Sequence, residues 1–184
     1  MKNHLLIWAL FALLGIYLSS CAHYASPVPL EKEGRLLEKG LQGTWKLMDD
    51  EIESSNESFM VHLYAQMDEQ GYNGDLVYTG LDQNNRPTKE YHKLKVFITT
   101  VNREMIVNIG FNVNDPDGEY LFAKYVWNPN KLTLFYVNEA PFKNATGQIE
   151  KYKSSKRLKK RFEALMNHKD FFEMEEPLVF QKVD

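Results

Sequence analysis

Tyr120-Leu121-Phe122-Ala123-Lys124-Tyr125-Val126-Trp127-Asn128-Pro129-Asn130-Lys131-Leu132-Thr133-Leu134-Phe135-Tyr136-Val137 is the stretch whose reading decides the fold. Two runs rich in aromatic and β-branched residues, Tyr120 to Trp127 and Leu132 to Val137, flank the turn residues Asn128-Pro129-Asn130, which is the signature of a β-hairpin. The first run is apolar on both faces. Tyr120, Phe122 and Val126 fall on one side of the pleat, and Leu121, Ala123 and Trp127 on the other. A sheet with one face in water alternates apolar with polar residues instead. The hairpin therefore belongs to a sheet covered on both sides. The simplest arrangement is a small closed barrel whose outer wall is covered locally by a helix.

The same period of two extends upstream. Asp115-Pro116-Asp117-Gly118 is a strong turn signal, and Met105 to Val113 reads as a strand before it. Val101-Asn102-Arg103-Glu104 is a hairpin tip after a strand in which Leu94, Val96 and Ile98 alternate with Lys93, Lys95 and Phe97. The polar loop Asp82 to Pro87 separates that strand from Asp75 to Thr79. Before Gly71 to Gly74, the residues Phe59, Val61, Leu63, Ala65 and Met67 alternate with His62, Tyr64 and Gln66. Gly43-Thr44-Trp45-Lys46-Leu47 opens the series. Downstream the period changes. Ser154 or Ser155 can cap a helix over about 155–172, with Leu158, Phe162, Leu165 and Phe172 on or near one stripe. Leu178 to Val183 is a last strand after Pro177. The expected order is about seven short antiparallel strands, one amphipathic helix, and one more strand, a mainly β fold over residues 41–184.

The N-terminus follows another logic. Met1-Lys2-Asn3-His4 is a short basic start, Leu5 to Tyr17 is an apolar run, and Leu18-Ser19-Ser20-Cys21 ends it. A membrane-spanning helix needs roughly twenty apolar residues, since it rises about 1.5 Å per residue across about 30 Å of hydrocarbon. Leu5 to Tyr17 is too short for that and has the layout of a signal peptide. Leu18 to Cys21 resembles the lipobox of bacterial lipoproteins. That resemblance implies cleavage between Ser20 and Cys21, removal of residues 1–20, acyl chains on Cys21, and a lipid-anchored place in the cell envelope. Ala22 follows Cys21, where an Asp would suggest retention in the inner membrane, so the pattern leans to the outer membrane, facing the periplasm. Residues 21–40 are expected to form a lipidated tether, because Ser26-Pro27-Val28-Pro29 cannot continue a helix. Within it, Glu31 to Lys39 has the pattern of a short helix ended by Gly40.

Gly43-Thr44-Trp45 on the first strand, the up-and-down meander and a late helix before a terminal strand resemble the lipocalin pattern. The resemblance implies that Trp45 closes the bottom of the barrel and that an arginine near the helix, Arg157 or Arg161, packs over it. The second motif of that family is matched only weakly, by Gly118-Glu119-Tyr120, and one strand fewer precedes the helix. If the barrel takes a ligand, its lining is drawn from Phe59, Val61, Leu63, Leu94, Val96, Ile98, Leu121, Leu132 and Leu134.

Catalytic chemistry has little to stand on. Cys21 is the sole cysteine, so disulfide stapling is excluded, and its lipidation leaves no thiol nucleophile. His62, His92 and His168 are too dispersed to form a local metal set. Asp115, Asp117 and Gly118 lack the later acidic positions of a calcium loop. Asp49-Asp50-Glu51 with Glu53 reads as a solvated acidic loop. Neither a phosphate-cradling glycine loop nor a nucleophile elbow is present. A net charge of −3 argues against a nucleic-acid partner. The basic run from Lys143 to Arg161 reads as a solvated helix face, or more sharply as a membrane-facing patch. The expectation is a non-enzymatic envelope protein without metal or cofactor. It binds an apolar or amphipathic small ligand in its barrel, or else has a packed barrel and acts through a protein partner.

Overall fold

The computed structural model describes residues 23–31, 39–48, 59–64, 74–80, 92–112, 118–174 and 176–183. Nine strands are present among them: β1 (Ala25–Ser26), β2 (Gly43–Met48), β3 (Phe59–Tyr64), β4 (Gly74–Gly80), β5 (His92–Val101), β6 (Glu104–Phe111), β7 (Glu119–Asn128), β8 (Lys131–Tyr136) and β9 (Leu178–Lys182). One α-helix, α1 (Ser155–Leu165), lies between β8 and β9. Each strand from β2 to β8 pairs antiparallel with the next, and β9 pairs with both β8 and β2. The sheet thus returns on itself as an eight-stranded up-and-down barrel of lipocalin-like architecture. The seven-strand meander of the sequence is found strand for strand. The ring is completed by β9, after the helix.

Turn chemistry sets the hairpins. Asn128 Oδ1 accepts from the backbone N–H groups of Asn130 and Lys131, both at 2.9 Å, and so closes the β7–β8 turn. Asn102 and Arg103 both take positive φ, 48° and 72°, at the β5–β6 tip. That pair of conformations matches the right-handed twist of the flanking strands.

Register sorts the side chains into two layers. Trp45 opposes Val61, Ile98 opposes Val107, Ile109 opposes Leu121, Leu132 opposes Phe180, and all of these lie in one buried cluster inside the ring. The alternate positions face outward. There Ile106 and Phe122 form a second cluster with Leu158 and Phe162 of α1 and with Tyr24, Phe142 and Phe171. The Phe162 ring makes edge-on contacts with Phe122 at 5.0 Å and with Phe171 at 5.3 Å between centroids. This cover explains why β7 is apolar on both faces.

Three expectations need correction. The helix stops at Leu165, and its C-cap is Met166. Phe172 belongs to an isolated bridge with Val137, and Phe171 takes the buried place against the barrel. Ser154 is the N-cap by backbone conformation, yet its hydroxyl makes no capping bond. Finally, the chain from His23 to Glu31 is not a free spacer. Ala25 and Ser26 pair with Leu121 and Tyr120 of β7, Tyr24 and Ser26 are fully buried, and Leu30 is nearly so. Tyr24 stacks on Phe142 at 3.7 Å, and the Leu30 N–H donates to Asn108 Oδ1 at 2.9 Å. Prolines here do exclude a helix, but their extended backbone suits a strap laid along a sheet edge. The helix expected over Glu31 to Lys39 falls almost wholly outside the described residues. Gly40 itself lies in a single 3-10 turn, Lys39–Leu41.

Candidate functional site

The interior of the barrel is the candidate site. Seven of the residues expected to line it face inward together: Val61, Leu94, Val96, Ile98, Leu121, Leu132 and Leu134. Phe59 and Leu63 occupy the same strand as Val61, in register with Gly80 and with Gly43. Leu47, Val107, Ile109, Tyr125 and Phe180 complete the inner layer, residues that the hairpin pattern alone did not assign to a face.

One end of this interior is occupied by the buried Trp45. Gly43 has φ 132°, a region in which a side chain is strained, and the chain bends there as it enters β2. The indole of Trp45 donates from Nε1 to the Leu41 carbonyl at 2.9 Å, and both residues are buried. Gly40 packs so closely on Trp127 that an added Cβ would stand 2.1 Å from the indole. Trp45 thus lies at the barrel end where β2 begins and β9 finishes. The cation over it is different. Lys182 Nζ of β9 lies 5.5 Å from the Trp45 ring centroid. Arg161 lies in the outer layer, where Nη2 donates to the Pro141 carbonyl at 3.4 Å and Nε is 3.5 Å from Glu150. Arg157 is exposed. A lysine following the last core position of the final strand was the readable signal for this contact.

The opposite end differs. Where β6 and β8 finish and β5 and β9 begin, the inward residues Leu94, Phe111, Leu134, Tyr136 and Leu178 pack on the inner cluster but keep partial exposure. Tyr136 is informative. Burial alone pushes its phenol up to about 12, although its surface is still partly accessible. Its ring stacks on His23, with centroids 4.5 Å apart and planes at 29°. The same burial lowers the His23 imidazole below its ordinary value.

Comparisons with protein-family models, with curated proteins and with solved structures return no match for this chain. The geometry therefore carries the reading. Among the described residues no group of histidine, cysteine and acidic side chains converges as a metal set would. His62 and His92 fall in β3 and β5, and their side chains are not described. Ser20, Cys21, the acidic loop from Asp49 and the Asp115–Asp117 turn lie outside the described residues.

Proposed function

We propose that this chain is a lipid-anchored protein of the bacterial cell envelope, held by acyl chains on Cys21, whose barrel admits an apolar or amphipathic small ligand. The observation that carries the ligand reading is the asymmetry of the interior. At the Trp45 end Trp45 and Leu41 are buried and Trp127 is partly buried, while at the Tyr136 end five inward apolar residues keep partial exposure. Ligand sites are typically concave, mostly apolar, and equipped with a few polar groups that fix orientation. Among the described residues, the Tyr136 hydroxyl and the His23 imidazole lie at this end. The anchor reading is supported by Leu18-Ser19-Ser20-Cys21 at the end of the apolar run.

Titration of the chain lacking residues 1–20, with Cys21→Ser, against a fluorescent fatty acid tests the ligand reading. Saturable binding that is lost in Leu134→Trp, a variant that fills the Tyr136 end, supports it. Absence of saturable binding overturns it. The intact mass of the native chain tests the anchor.

A second reading draws on the lower half of the barrel. Trp45, Leu41, Val96 and Ile98 are each at most 2% exposed, so side chains fill much of the interior. A filled barrel would act through a protein partner. One stoichiometric partner captured by cross-linking in intact envelopes, without ligand binding, would favour it.

A further inference from the structure

We infer that the anchor holds the Tyr136 end of the barrel against the bilayer, so that this rim, and not the Trp45 end, is the membrane-facing surface and any ligand enters from the leaflet. This rests on the lipid-anchor reading above and adds an orientation to it.

The decisive relationship is between the anchor and the first docked residue. A spacer running from Cys21 to Gly40 would span on the order of 60 Å when extended, long enough to present any face of the domain. The strap removes that freedom. The Tyr24 N–H donates to the Val137 carbonyl at 2.8 Å, His23 is bridged to Asn138, and the His23 ring is stacked on Tyr136. Only Ala22 separates His23 from Cys21. Consecutive Cα atoms are 3.80 Å apart, so the Cα of Cys21 lies within about 8 Å of that of His23. A domain of this size has a radius of gyration of about 15 Å. The leash is shorter than the body it holds. Tyr136 ends β8 opposite Ala123 of β7, so the β7–β8 hairpin lies five residues away along β8, about 17 Å, roughly twice the length of the leash.

The rim carries features suited to an interface with lipid. Met48 closes β2 at this end and is 39% exposed. Met174 is 57% exposed and follows Glu173, whose N–H donates to the Tyr136 carbonyl at 2.8 Å. Other exposed apolar residues, such as Val126 and Val183, lie on the flank and at the opposite end. The short leash chooses which end meets lipid, and the two methionines are what that end offers.

The full acylated chain in phosphatidylcholine and phosphatidylglycerol vesicles provides the test. Single cysteines are introduced by Met48→Cys and Met174→Cys at the rim, and by Lys131→Cys and Val183→Cys at the opposite end. Cys21 is acylated, so each new thiol alone takes a fluorophore. Quenching by headgroup-nitroxide lipid is expected to be severalfold stronger at 48 and 174 than at 131 and 183. A flexible Gly-Ser insert of about twenty residues after Ala22, with a mean reach of about 25 Å, is expected to abolish the difference. Equal or reversed quenching in an acylated chain overturns the orientation and leaves the anchor reading intact. Asymmetry that survives the insert overturns it as well, since the leash would not be its cause. An intact mass without acylation removes the anchor reading and the orientation with it.

Discussion

The backbone N–H of Leu30 donates to the side-chain oxygen of Asn108, 78 positions further along the chain and wholly buried. The Asn108 amide nitrogen in turn donates to Thr99 Oγ1 at 3.0 Å. One asparagine on the outer wall of β6 thus ties the N-terminal strap to β5. Asn108→Leu removes the acceptor and leaves a buried donor unpaired, which costs about 1–3 kcal/mol. Urea unfolding is expected to show that loss. Limited proteolysis is expected to cut between residues 23 and 31 faster than in the parent chain. An Asn108→Leu protein as stable and as resistant as the parent would show that the strap is held by Tyr24 and Ser26 alone.

Phe162 is the centre of the outer aromatic layer, with Tyr24, Phe122, Phe142 and Phe171 all within 6.2 Å between ring centroids. Phe162→Ala leaves a cavity between α1 and the barrel, and truncations of this kind cost about 3–5 kcal/mol. Lys160→Ala, on the exposed face of the same helix, is expected to stay within about 0.5 kcal/mol. Thermal unfolding of the two variants checks the contrast. Similar losses in both would mean that the helix itself, and not its buried stripe, carries the stability.

The inner layer was legible because β-strand alternation is local. Val96 and Ile98, or Leu132 and Leu134, announce their shared face by spacing alone. The double apolar face of Tyr120 to Trp127 likewise announced a cover. What local spacing could not convey was which residues supply it. Tyr24, Phe142 and Phe171 sit in segments with no periodicity, and only tertiary contact makes them core. Phe171 and Phe172 show the limit plainly. Helical spacing favoured Phe172, but the helix ends at Leu165, and the following turn presents its neighbour to the barrel. The strap is illegible in the sequence for a related reason. Prolines state what a segment cannot form, not what it lies against. The cation over Trp45 came from β9 because register with Trp45, not nearness to the helix, decides which side chain reaches the ring.

Lys182 and Trp45 are paired in register across β9 and β2, and the ammonium lies over the indole. A cation over an aromatic face contributes about 0.5–2 kcal/mol, depending on how far it is desolvated. Lys182 remains partly exposed, so the lower part of that range applies. Lys182→Met keeps the apolar stem and removes the charge. It is expected to lower stability by about 0.5–1 kcal/mol and to shift the tryptophan emission. Lys182→Arg keeps a cation and is expected to retain most of the stability. Identical unfolding midpoints for all three proteins would mean that Trp45 is sealed by packing only.

Gly43 enters β2 with φ 132°. Any other residue there pays the cost of a sparsely populated conformation, about 1–3 kcal/mol. Gly43→Ala is expected to lose that much in urea unfolding and to loosen the Trp45 Nε1–Leu41 hydrogen bond. Faster exchange of the indole N–H, measured by NMR, is the direct readout. Unchanged exchange with unchanged stability would show that the bend can be made without glycine.

His23 gives the strap a pH dependence whose sign can be worked out. Burial depresses its imidazole below the ordinary value of 6.5. When the strap is undocked, the ring titrates at that ordinary value. Above it both states are neutral and docking is independent of this group. As pH falls through 6.5, the undocked state takes up a proton first, so docking weakens progressively until pH reaches the depressed value of the docked ring. Stability therefore rises with pH across that window and levels off above it. The readout is the rate of proteolytic cleavage within residues 23–31 between about pH 8 and pH 5, a range in which histidine is the side chain that ordinarily changes charge. The parent chain is expected to be cut faster at the acid end. His23→Phe keeps a ring to stack on Tyr136 and cannot be protonated. It is expected to flatten the profile while leaving the rate at pH 8 near that of the parent. An equally steep profile in His23→Phe would assign the acid sensitivity to groups other than His23. The role given to the His23–Tyr136 stack would then fall.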